Sequence, residues 1–313
     1  MKILITSGTS FLGGRIAKYF QENNIEITIG YRNEFKKAFH SNKFNHIKIN
    51  WHSIDSIREA CADKDIVIHT AGLNSQTCYK FPVLAYEFNS IIAGNLGIAC
   101  QNENVKALIY LSSIHVYSND IKEKINEISE CKNSHHYSKS KHLAENIYQQ
   151  ISNLNSTKFF ILRLSNLFGY PINENKSCWN LFINNICKEA SQIRKITINS
   201  NPLENRNFIS MNYLNRSLKY LIENIKNLNS YEIFNITSQR TLTLEELTIL
   251  ISEKYQKLLN LKIELNYKKQ KVFKEKIYYS SRLDHILKSD KNFDSEINEL
   301  IFHCENQFND KNK

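Results

Sequence analysis

The sequence predicts an α/β protein, a doubly wound parallel sheet with a smaller C-terminal α/β lobe. Two observations support this fold class. Through the first half of the 313-residue chain, short apolar segments alternate with segments of helical periodicity, as parallel strands alternate with crossover helices. Beyond residue 165 the alternation becomes irregular. We therefore expect residues 1–165 to form the sheet domain and residues 166–313 mainly the lobe, with some segments returning to the sheet domain.

Strands of the first half are predicted where short, continuous apolar runs indicate burial on both faces of a sheet. They are Lys2–Thr6, Glu26–Gly30, His46–Asn50, Ile66–His69, Ala107–Leu111 and Phe159–Leu164. Helices are predicted where apolar residues recur with a helical period. They are Phe11–Glu22, Ser53–Cys61, Phe81–Asn102 and His136–Ile151. This repeated strand–helix order is that of a Rossmann-type domain.

The second half contains shorter and more scattered elements. Helices are predicted at Trp179–Ala190, Tyr213–Ile225, Leu244–Leu258 and Ser295–Gln307. Short strands are predicted at Ile196–Asn199 and Ile233–Ile236. Pieces of this kind suit a lobe that binds a ligand at the carboxyl ends of parallel strands. The charged run Lys268–Lys276 is expected to be a solvated loop or helix face.

The composition argues against several functions. The seven cysteines are odd in number and no two have CxxC spacing, so neither a disulfide framework nor a metal site is expected. No run of about 18 apolar residues occurs and the N-terminus resembles no signal peptide, so we expect a cytoplasmic protein without a membrane span. The net charge of +10 is not arranged as a Lys/Arg stripe interleaved with aromatic residues. We therefore expect an anionic substrate or cofactor rather than nucleic acid.

A candidate phosphate-binding turn lies between the first strand and the first helix. Its sequence is Thr6-Ser7-Gly8-Thr9-Ser10-Phe11-Leu12-Gly13-Gly14. Small residues there would let a dinucleotide pyrophosphate approach the backbone N–H groups at the helix start. Ser7 and Ser10 stand where glycines are expected, and an ordinary strand-to-helix turn is the alternative interpretation. The predicted cofactor contacts in this turn are Gly8, Ser10, Phe11, Leu12 and Gly13.

The end of the second strand is where this fold contacts the adenosine ribose. A carboxylate there favours NAD, because it accepts a hydrogen bond from the 2′-hydroxyl. The segment Ile29–Asn33 contains no acid. Arg32, next to Tyr31, can instead face a 2′-phosphate, so NADP is the preferred cofactor and NAD the alternative. Arg32 can also be an ordinary surface cation.

Tyr137 and Lys141 form a candidate proton-transfer pair. Residues four apart share one face of a helix, and both lie in the helix predicted at His136–Ile151. A free phenol has a pKa of about 10, and a neighbouring ammonium is expected to lower that pKa by favouring the phenolate. Tyr137 could then exchange a proton with a carbinol or carbonyl oxygen. Ser113, at the end of the fifth strand, is expected at the same sheet edge, where its hydroxyl can hydrogen-bond that oxygen.

Eight segments, in order along the chain, carry further motifs. They are Thr6–Gly13, Asn50–Trp51, Asp65–Gly72, the pair Asn89 and Asn95, Ser112–Tyr117, Tyr137–Lys141, Arg163–Gly169 and Arg206–Ile209. In that order they resemble TGxxGxxG, Asp-Leu, DVVIHLAG, two helix asparagines, SSxxVYG, YxxxK, LRxxNVYG and RDFI. These are motifs of the extended short-chain dehydrogenase/reductase family, the NAD-dependent epimerases and dehydratases, whose members mostly act on nucleotide sugars. The chain resembles this family over nearly its whole length.

The resemblance implies roles for individual residues. Ser113, Tyr137 and Lys141 would be catalytic, and Lys141 would also hold the nicotinamide ribose. Further cofactor contacts would come from Asn50, Trp51, Thr70, Ala71, Gly72, Asn89 and Leu164. The substrate would be contacted by Ser113, His115, Tyr137, Asn166, Trp179 and Arg206, with the Arg206 guanidinium binding the nucleotide diphosphate in bidentate fashion. Residues 1–165 would bind NAD(P), residues 166–313 mainly the substrate, and two chains would form a homodimer through Phe81–Asn102 and His136–Ile151.

Three functions remain compatible with the sequence. Dehydration is disfavoured, because Ile114-His115 stands where the family's 4,6-dehydratases have the Asp-Glu pair that supplies the acid and base. Reduction of a 4-keto-6-deoxy nucleotide sugar, a step of deoxysugar and polysaccharide biosynthesis, is the first hypothesis, with Tyr137 as proton donor. A UDP-glucose 4-epimerase-like epimerase is the second, and a non-catalytic Rossmann binding protein is the third. His115 is either an additional proton donor or a structural histidine.

Overall fold

The computed structural model describes residues 1–33, 43–118, 124–172, 176–238, 240–270, 272–273, 275–287 and 289–309. The chain divides into two compact units. The first comprises Met1–Ile121, Glu127–Leu164 and Leu218–Asn235, and the second comprises Lys122–Asn126, Ser165–Ser217 and Ile236–Lys313. The chain therefore passes between the units several times, and the segment Leu218–Asn235 returns to the first unit.

The elements are numbered along the chain. The strands are β1 (Lys2–Ile5), β2 (Glu26–Tyr31), β3 (Asn45–Lys48), β4 (Ile66–His69), β5 (Ala107–Ser113), β6 (Lys124–Ile125), β7 (Lys158–Leu164), β8 (Asn166–Phe168), β9 (Lys195–Ile198), β10 (Asn205–Ser210), β11 (Tyr231–Ile236), β12 (Thr241–Thr243), β13 (Glu264–Tyr267) and β14 (Tyr278–Tyr279). The helices are α1 (Phe11–Glu22), α2 (Ile54–Cys61), α3 (Ser75–Lys80), α4 (Pro82–Tyr86), α5 (Ala93–Asn102), α6 (His136–Ile151), α7 (Phe182–Ile193), α8 (Met211–Glu223), α9 (Leu244–Leu259), α10 (Asp284–Leu287) and α11 (Phe293–Phe308). A π-helical turn at Glu87–Ile92 joins α4 to α5, and short 3₁₀ turns occur at Ile114–Val116, Lys176–Asn180 and Ile225–Asn227.

The first unit is built on a seven-stranded sheet in the order β11-β7-β5-β4-β1-β2-β3. The strands from β7 to β3 pair in parallel. Ile3, Leu4 and Ile5 of β1 are fully buried, as expected where helices cover both faces of a sheet. The strand order changes direction between β1 and β4, and sheets of this kind bind ligands outside the carboxyl ends of the strands at that point. The predicted doubly wound fold class is confirmed.

The helix predicted at Phe81–Asn102 is wrong in two respects. It begins at Pro82, whose fixed φ and missing N–H suit the first helical position, and the π turn at Glu87–Ile92 interrupts it. A separate helix, α3, precedes it and is capped by the Asn74 side chain. The segment Pro82–Asn102 is long and apolar enough to span a membrane, but more than half of its most apolar part is buried within the protein. Such burial is typical of a core helix.

Other boundaries differ by a few residues. The strand predicted at His46–Asn50 is Asn45–Lys48, because the chain turns toward α2 at residue 50. The helix predicted at Trp179–Ala190 begins at Phe182 and ends at Ile193, because the preceding residues form a 3₁₀ turn. By contrast, α1 and α6 have the predicted bounds. Local capping and helical periodicity were sufficient to place these two helices.

The described part of the second unit contains three small sheets. Strand β10 lies between β8, to which it is parallel, and β12, to which it is antiparallel. Strand β9 pairs in parallel with β13, and β6 with β14. Phe208, Tyr255, Phe293 and Leu300 are buried in its core. The strands β8 and β10 matter for function, because they carry two of the residues predicted to contact the substrate.

Candidate active site

The turn after β1 packs backbone against backbone. A Cβ atom on Gly13 would stand 2.1 Å from the Ser7 carbonyl oxygen, so only glycine fits there. Ser10 has an ordinary backbone conformation, with φ −76° and ψ 172°. Its hydroxyl donates to the Ser7 carbonyl (2.7 Å) and accepts from Gly13 N (3.1 Å). Ser10 therefore caps α1 without strain, and it satisfies one of the N–H groups that would otherwise face a phosphate.

Thr6, which follows β1, forms hydrogen bonds with residues at the end of β4. Its hydroxyl accepts from the backbone N–H groups of Thr70 and Ala71, each at 3.2 Å, and lies 3.0 Å from His69 Nδ1. Burial lowers the pKa of His69 to about 3, so the imidazole is neutral. Because the Thr6 oxygen already accepts two hydrogen bonds, its proton goes to Nδ1. These contacts fix Thr70 and Ala71, two predicted cofactor residues, at the carboxyl ends of the strands.

The predicted adenosine contacts lie beyond the ends of β2 and β3. Tyr31 ends β2, and Arg32 follows it with an exposed side chain. Asn50 is exposed as well. Trp51 differs from these three, since it is buried in the hydrophobic core and its ring lies 5.8 Å from the His69 ring. Its indole therefore packs within the unit, whereas Arg32 and Asn50 are accessible to a ligand.

The three predicted catalytic residues meet within the first unit. Ser113 ends β5, Tyr137 lies in the first turn of α6, and Lys141 lies one turn further along. A side-chain hydrogen bond joins Tyr137 to Ser113. Lys141 Nζ donates to the Leu111 carbonyl (3.1 Å) and stands 4.7 Å from the centre of the Tyr110 ring. A hydroxyl, a phenol and an ammonium are thus assembled at the end of one strand.

Burial controls protonation in this cluster. It raises the pKa of Tyr137 to about 12, against the smaller lowering effect of the Ser113 hydrogen bond. It lowers the pKa of Lys141 to about 8. The pKa of Tyr137 is therefore raised and not lowered as expected, because desolvation of the phenolate is the largest influence on it. At neutral pH, Tyr137 carries its proton and Lys141 its charge.

Asn89, in the π turn, connects the segment after β4 to α6. Its Oδ1 accepts from Leu73 N (2.8 Å), and its Nδ2 donates to Ser140 Oγ (3.1 Å). A Cβ atom on Gly72 would stand 3.2 Å from Lys141 Nζ, so a larger residue would crowd the ammonium. Two predicted cofactor residues, Gly72 and Asn89, are therefore neighbours of α6.

His115 and Leu164 lie on either side of Ser113. The backbone N–H of His115 donates to Ser113 Oγ (3.2 Å), and the His115 side chain is exposed. Leu164 ends β7 and pairs in register with Ser113. The predicted substrate residue His115 and the predicted cofactor residue Leu164 are therefore both adjacent to Ser113.

A buried ion pair holds α6 against the sheet. The Glu145 carboxylate accepts from Arg163 Nε and Nη2, at 2.6 Å for the shortest contact, and the two side chains are 1% and 4% exposed. Ser112 Oγ donates to the same carboxylate (2.5 Å), and Arg163 Nη1 donates to the Tyr117 hydroxyl (3.0 Å). The sequence motifs include Arg163 without a role and do not single out Glu145. Glu145 could have been found from the sequence because it lies four residues after Lys141 and therefore on the same face of α6.

In the second unit, the predicted substrate residues are engaged by their neighbours. Asn166 Nδ2 donates to the Asn207 carbonyl (2.9 Å). The Trp179 ring is buried, with its centre 6.1 Å from that of His303 and 4.8 Å from that of Phe308. Most of the Trp179 indole is therefore covered by the helix α11.

Arg206 is paired with an acid that the motifs do not mark. Its Nε and Nη2 both lie 2.9 Å from one Glu204 oxygen, and its guanidinium stands 5.1 Å from the centre of the Phe182 ring. The Arg206 side chain is 30% exposed, so a ligand can reach it.

The described parts of the chain offer no set of side chains that could bind a metal ion. Among these residues, no group of three His, Cys, Asp or Glu side chains is arranged to hold a metal ion. The seven cysteines are free thiols, and six of them are buried. The pair Cys61 and Cys100 comes within 3.8 Å between sulfur atoms.

The fold and the Ser113–Tyr137–Lys141 cluster are those of a short-chain dehydrogenase/reductase. A family model described as the NAD dependent epimerase/dehydratase family matches residues 3–237. The chain therefore belongs to the NAD-dependent epimerase/dehydratase family. The resemblance drawn from the motifs is confirmed.

Two curated relatives are similar in sequence. The D-erythronate dehydrogenase of Haemophilus influenzae is 25% identical over 195 residues, which are 60% of this chain and 62% of that protein. The dTDP-D-glucose 4,6-dehydratase of Dictyostelium discoideum is 26% identical over 234 residues, which are 66% of this chain and 52% of that protein. The matches thus span between half and two-thirds of the relatives' length.

Solved structures show the same fold over nearly the whole chain. The UDP-glucose 4-epimerase of Thermotoga maritima, solved with UDP-glucose, has a TM-score of 0.80 at 17% identity and covers 97% of this chain and 98% of its own. RMD from Pseudomonas aeruginosa, complexed with NADPH, has a TM-score of 0.78 at 16% identity and covers 98% of both chains. At these identities the likeness establishes the fold alone.

Arg163→Met should destabilise the protein by about 3–5 kcal/mol, because the Glu145 carboxylate would stay buried without its cationic partner. Urea titration measures the free energy of unfolding. In the double variant Arg163→Met/Glu145→Leu no charge of the pair remains, and most of the loss should be recovered. A loss below about 1 kcal/mol in the single variant, the size typical of an exposed ion pair, would show that this pair does not hold α6.

Proposed function

We propose that the protein is an NAD(P)-dependent reductase of a 4-keto-6-deoxy nucleotide sugar, with Tyr137 as the proton donor. The meeting of Ser113, Tyr137 and Lys141 at the end of β5 carries this proposal. Reduction requires a proton for the carbonyl oxygen, and the Tyr137 phenol, hydrogen-bonded to Ser113, can donate it. The absence of an acid after β2 and the exposed Arg32 favour an exchangeable NADPH and therefore reduction over epimerisation.

The three residues of the cluster divide the chemistry between them. The cofactor supplies a hydride to the carbonyl carbon when it is bound. The Ser113 hydroxyl hydrogen-bonds the carbonyl oxygen, and Tyr137 donates its proton to that oxygen, so that the carbonyl becomes a secondary alcohol. The Lys141 ammonium, one helical turn from Tyr137, stabilises the phenolate that remains. Burial of the cluster strengthens these interactions relative to water.

The first unit offers a fitting site for the dinucleotide. Gly13 lets the turn after β1 pack closely against the start of α1, and we propose that the backbone N–H groups there bind the pyrophosphate. Arg32 is exposed after β2, where the sequence has no acid, so we propose that it binds a 2′-phosphate and that NADP is preferred to NAD. The proposed cofactor contacts are Gly8, Ser10, Phe11, Leu12, Gly13, Tyr31, Arg32, Asn50, Trp51, Thr70, Ala71, Gly72, Asn89, Tyr137, Lys141 and Leu164.

A nucleotide sugar is the proposed substrate. Arg206 binds its diphosphate, because an accessible guanidinium donates two parallel hydrogen bonds to phosphate oxygens. Asn166 and Trp179 are further proposed contacts, although the Trp179 ring has little surface left for a ligand. The exposed His115, next to Ser113, is proposed to contact the sugar. The UDP-glucose bound to the Thermotoga maritima epimerase supports this substrate class.

A nucleotide-sugar 4-epimerase is the second candidate, favoured by the likeness to the Thermotoga maritima enzyme over 97% of this chain. The same Ser113, Tyr137 and Lys141 serve both reactions. The two differ in the fate of the cofactor, because a reductase exchanges it in each turnover and an epimerase retains it. A non-catalytic Rossmann protein, the third hypothesis, has no evident use for the assembled cluster.

The purified protein should therefore oxidise added NADPH in the presence of a dTDP- or UDP-linked 4-keto-6-deoxyglucose. Tyr137→Phe should abolish this oxidation while NADPH still binds, because phenylalanine keeps the ring but has no proton to donate. NADPH absorbance measures turnover, and NADPH fluorescence measures binding. Lys139→Ala, an exposed neighbour on α6, is the control and should retain turnover.

Three outcomes would contradict these assignments. Oxidation of NADPH by Tyr137→Phe at the wild-type rate would refute the role of Tyr137. Tightly bound NAD together with interconversion of UDP-glucose and UDP-galactose would identify an epimerase instead. Cofactor binding without turnover of either substrate type would favour a binding protein.

We also propose that the chain forms a homodimer through α4, α5 and α6. Apolar side chains of these helices and of the π turn are exposed, among them Val83 (80%), Ile91 (53%), Ile98 (39%) and Leu143 (38%). Exposed apolar patches on a folded protein commonly mark an interface with another chain. A second copy that packs on these helices would remove the side chains from water.

Replacing Ile91 and Ile98 together by Asp should convert the dimer to a monomer, because the charges would have to be buried in the interface. Light scattering after size-exclusion chromatography measures the mass. Ile249→Asp, an isoleucine of similar exposure (42%) on α9, is the matched control and should leave the mass unchanged. A monomeric wild-type protein at micromolar concentration would contradict the proposed dimer.

A further inference from the structure

We infer that Glu204 is a specificity-determining residue of the Arg206 subsite. It makes this subsite prefer the diphosphate diester of a nucleotide sugar to the terminal phosphate of a free nucleoside diphosphate. The inference rests on the proposed function, in which Arg206 binds the substrate's diphosphate. Glu204 lies two residues before Arg206 and immediately precedes β10.

The Glu204 carboxylate occupies one edge of the Arg206 guanidinium. A single Glu204 oxygen accepts a hydrogen bond from Nε (2.9 Å) and forms an ion pair with Nη2, which lies 2.9 Å from the same oxygen. One face of the guanidinium lies over the Phe182 ring. The edge directed away from Glu204, formed by Nη1 and the second N–H of Nη2, can donate two hydrogen bonds to a phosphate. Glu204 and Phe182 thus set the direction from which Arg206 binds an anion.

The position of Glu204 is fixed by its backbone. Its N–H donates to the Asn201 carbonyl (3.0 Å), and its carbonyl accepts from Leu244 N (3.1 Å). The side chains of Glu204 and Arg206 are both 30% exposed. A phosphate from solvent can therefore reach the guanidinium while the carboxylate stays beside it, so the phosphate interacts with both charges.

The carboxylate makes the subsite sensitive to the charge of the phosphate. In a nucleotide sugar, each phosphate is esterified on both sides and carries a single negative charge. The terminal phosphate of a free nucleoside diphosphate has a second pKa of about 6, so it carries nearly two charges at neutral pH. Repulsion from Glu204 opposes the additional charge at a partly exposed site. Glu204 thereby reduces competition from free nucleoside diphosphate.

Calorimetric binding of UDP-glucose and of UDP to the full chain tests this inference, with the dTDP pair of ligands in parallel. Glu204→Gln keeps an oxygen that accepts from the guanidinium and removes the charge. We expect the ratio of the Kd of UDP to the Kd of UDP-glucose to fall about 3- to 10-fold in this variant. Glu264→Gln, which removes a carboxylate paired with Lys195 at 2.7 Å in the same unit, should leave the ratio unchanged. Thermal midpoints check that each variant is folded.

Arg206→Gln separates the two proposals. If it weakens both ligands by about tenfold or more while Glu204→Gln leaves the ratio unchanged or raises it, the inference is wrong and the diphosphate site stands. If Arg206→Gln binds both ligands as tightly as the wild-type protein, the proposed diphosphate contact is wrong and the inference fails with it. If the wild-type protein binds neither pair of ligands, the proposed substrate class is wrong, and the diphosphate contact and the inference about Glu204 are wrong with it.

Discussion

One buried ion pair, between Glu145 and Arg163, positions the helix on which the chemistry depends. Tyr137, Lys141 and Glu145 are spaced four residues apart on α6, so they share one face, and fixing Glu145 fixes the other two. Removing both charges from water is costly, and the cost is offset by further hydrogen bonds, including one from Ser112. Ser112 pairs in register with Arg163, so the ion pair also aligns α6 with β5, the strand that ends in Ser113.

The cluster depends equally on the exclusion of water. Desolvation raises the pKa of Tyr137 and lowers that of Lys141, and both groups still carry their protons at neutral pH. The Leu111 carbonyl and the Tyr110 ring stabilise the Lys141 ammonium without neutralising it. Desolvation therefore sets how readily each of the two groups gives up its proton.

Local sequence was sufficient to predict much of the fold. The bounds of α1 and α6 follow from helical periodicity, and the sheet follows from buried apolar runs. The helix predicted at Phe81–Asn102 failed because its π turn places Asn89 against Leu73 and Ser140. Those partners are distant in sequence, and no local pattern reveals the contact. Tertiary packing decided that element.

In the site, too, the sequence predicted some features and only the tertiary structure revealed others. Motif spacing indicated Ser113, Tyr137 and Lys141, which the fold brings together within one unit. It could not give the sign of the pKa shift at Tyr137, because that sign depends on burial. Nor could it show that Trp179 packs beneath a helix or that Glu204 pairs with Arg206. Such facts belong to the tertiary structure of each unit.

The pH dependence of kcat/KM tests most directly whether Tyr137 and Lys141 transfer the proton, because kcat/KM reports the groups of the free enzyme. Lys141 is charged below its pKa of about 8 and loses that charge above it, while Tyr137 keeps its proton up to a pKa of about 12. We therefore expect kcat/KM for the reduction to fall as the pH rises through about 8. A kcat/KM that stays constant from about pH 7 to about pH 10, the ordinary range of a lysine, would contradict this mechanism.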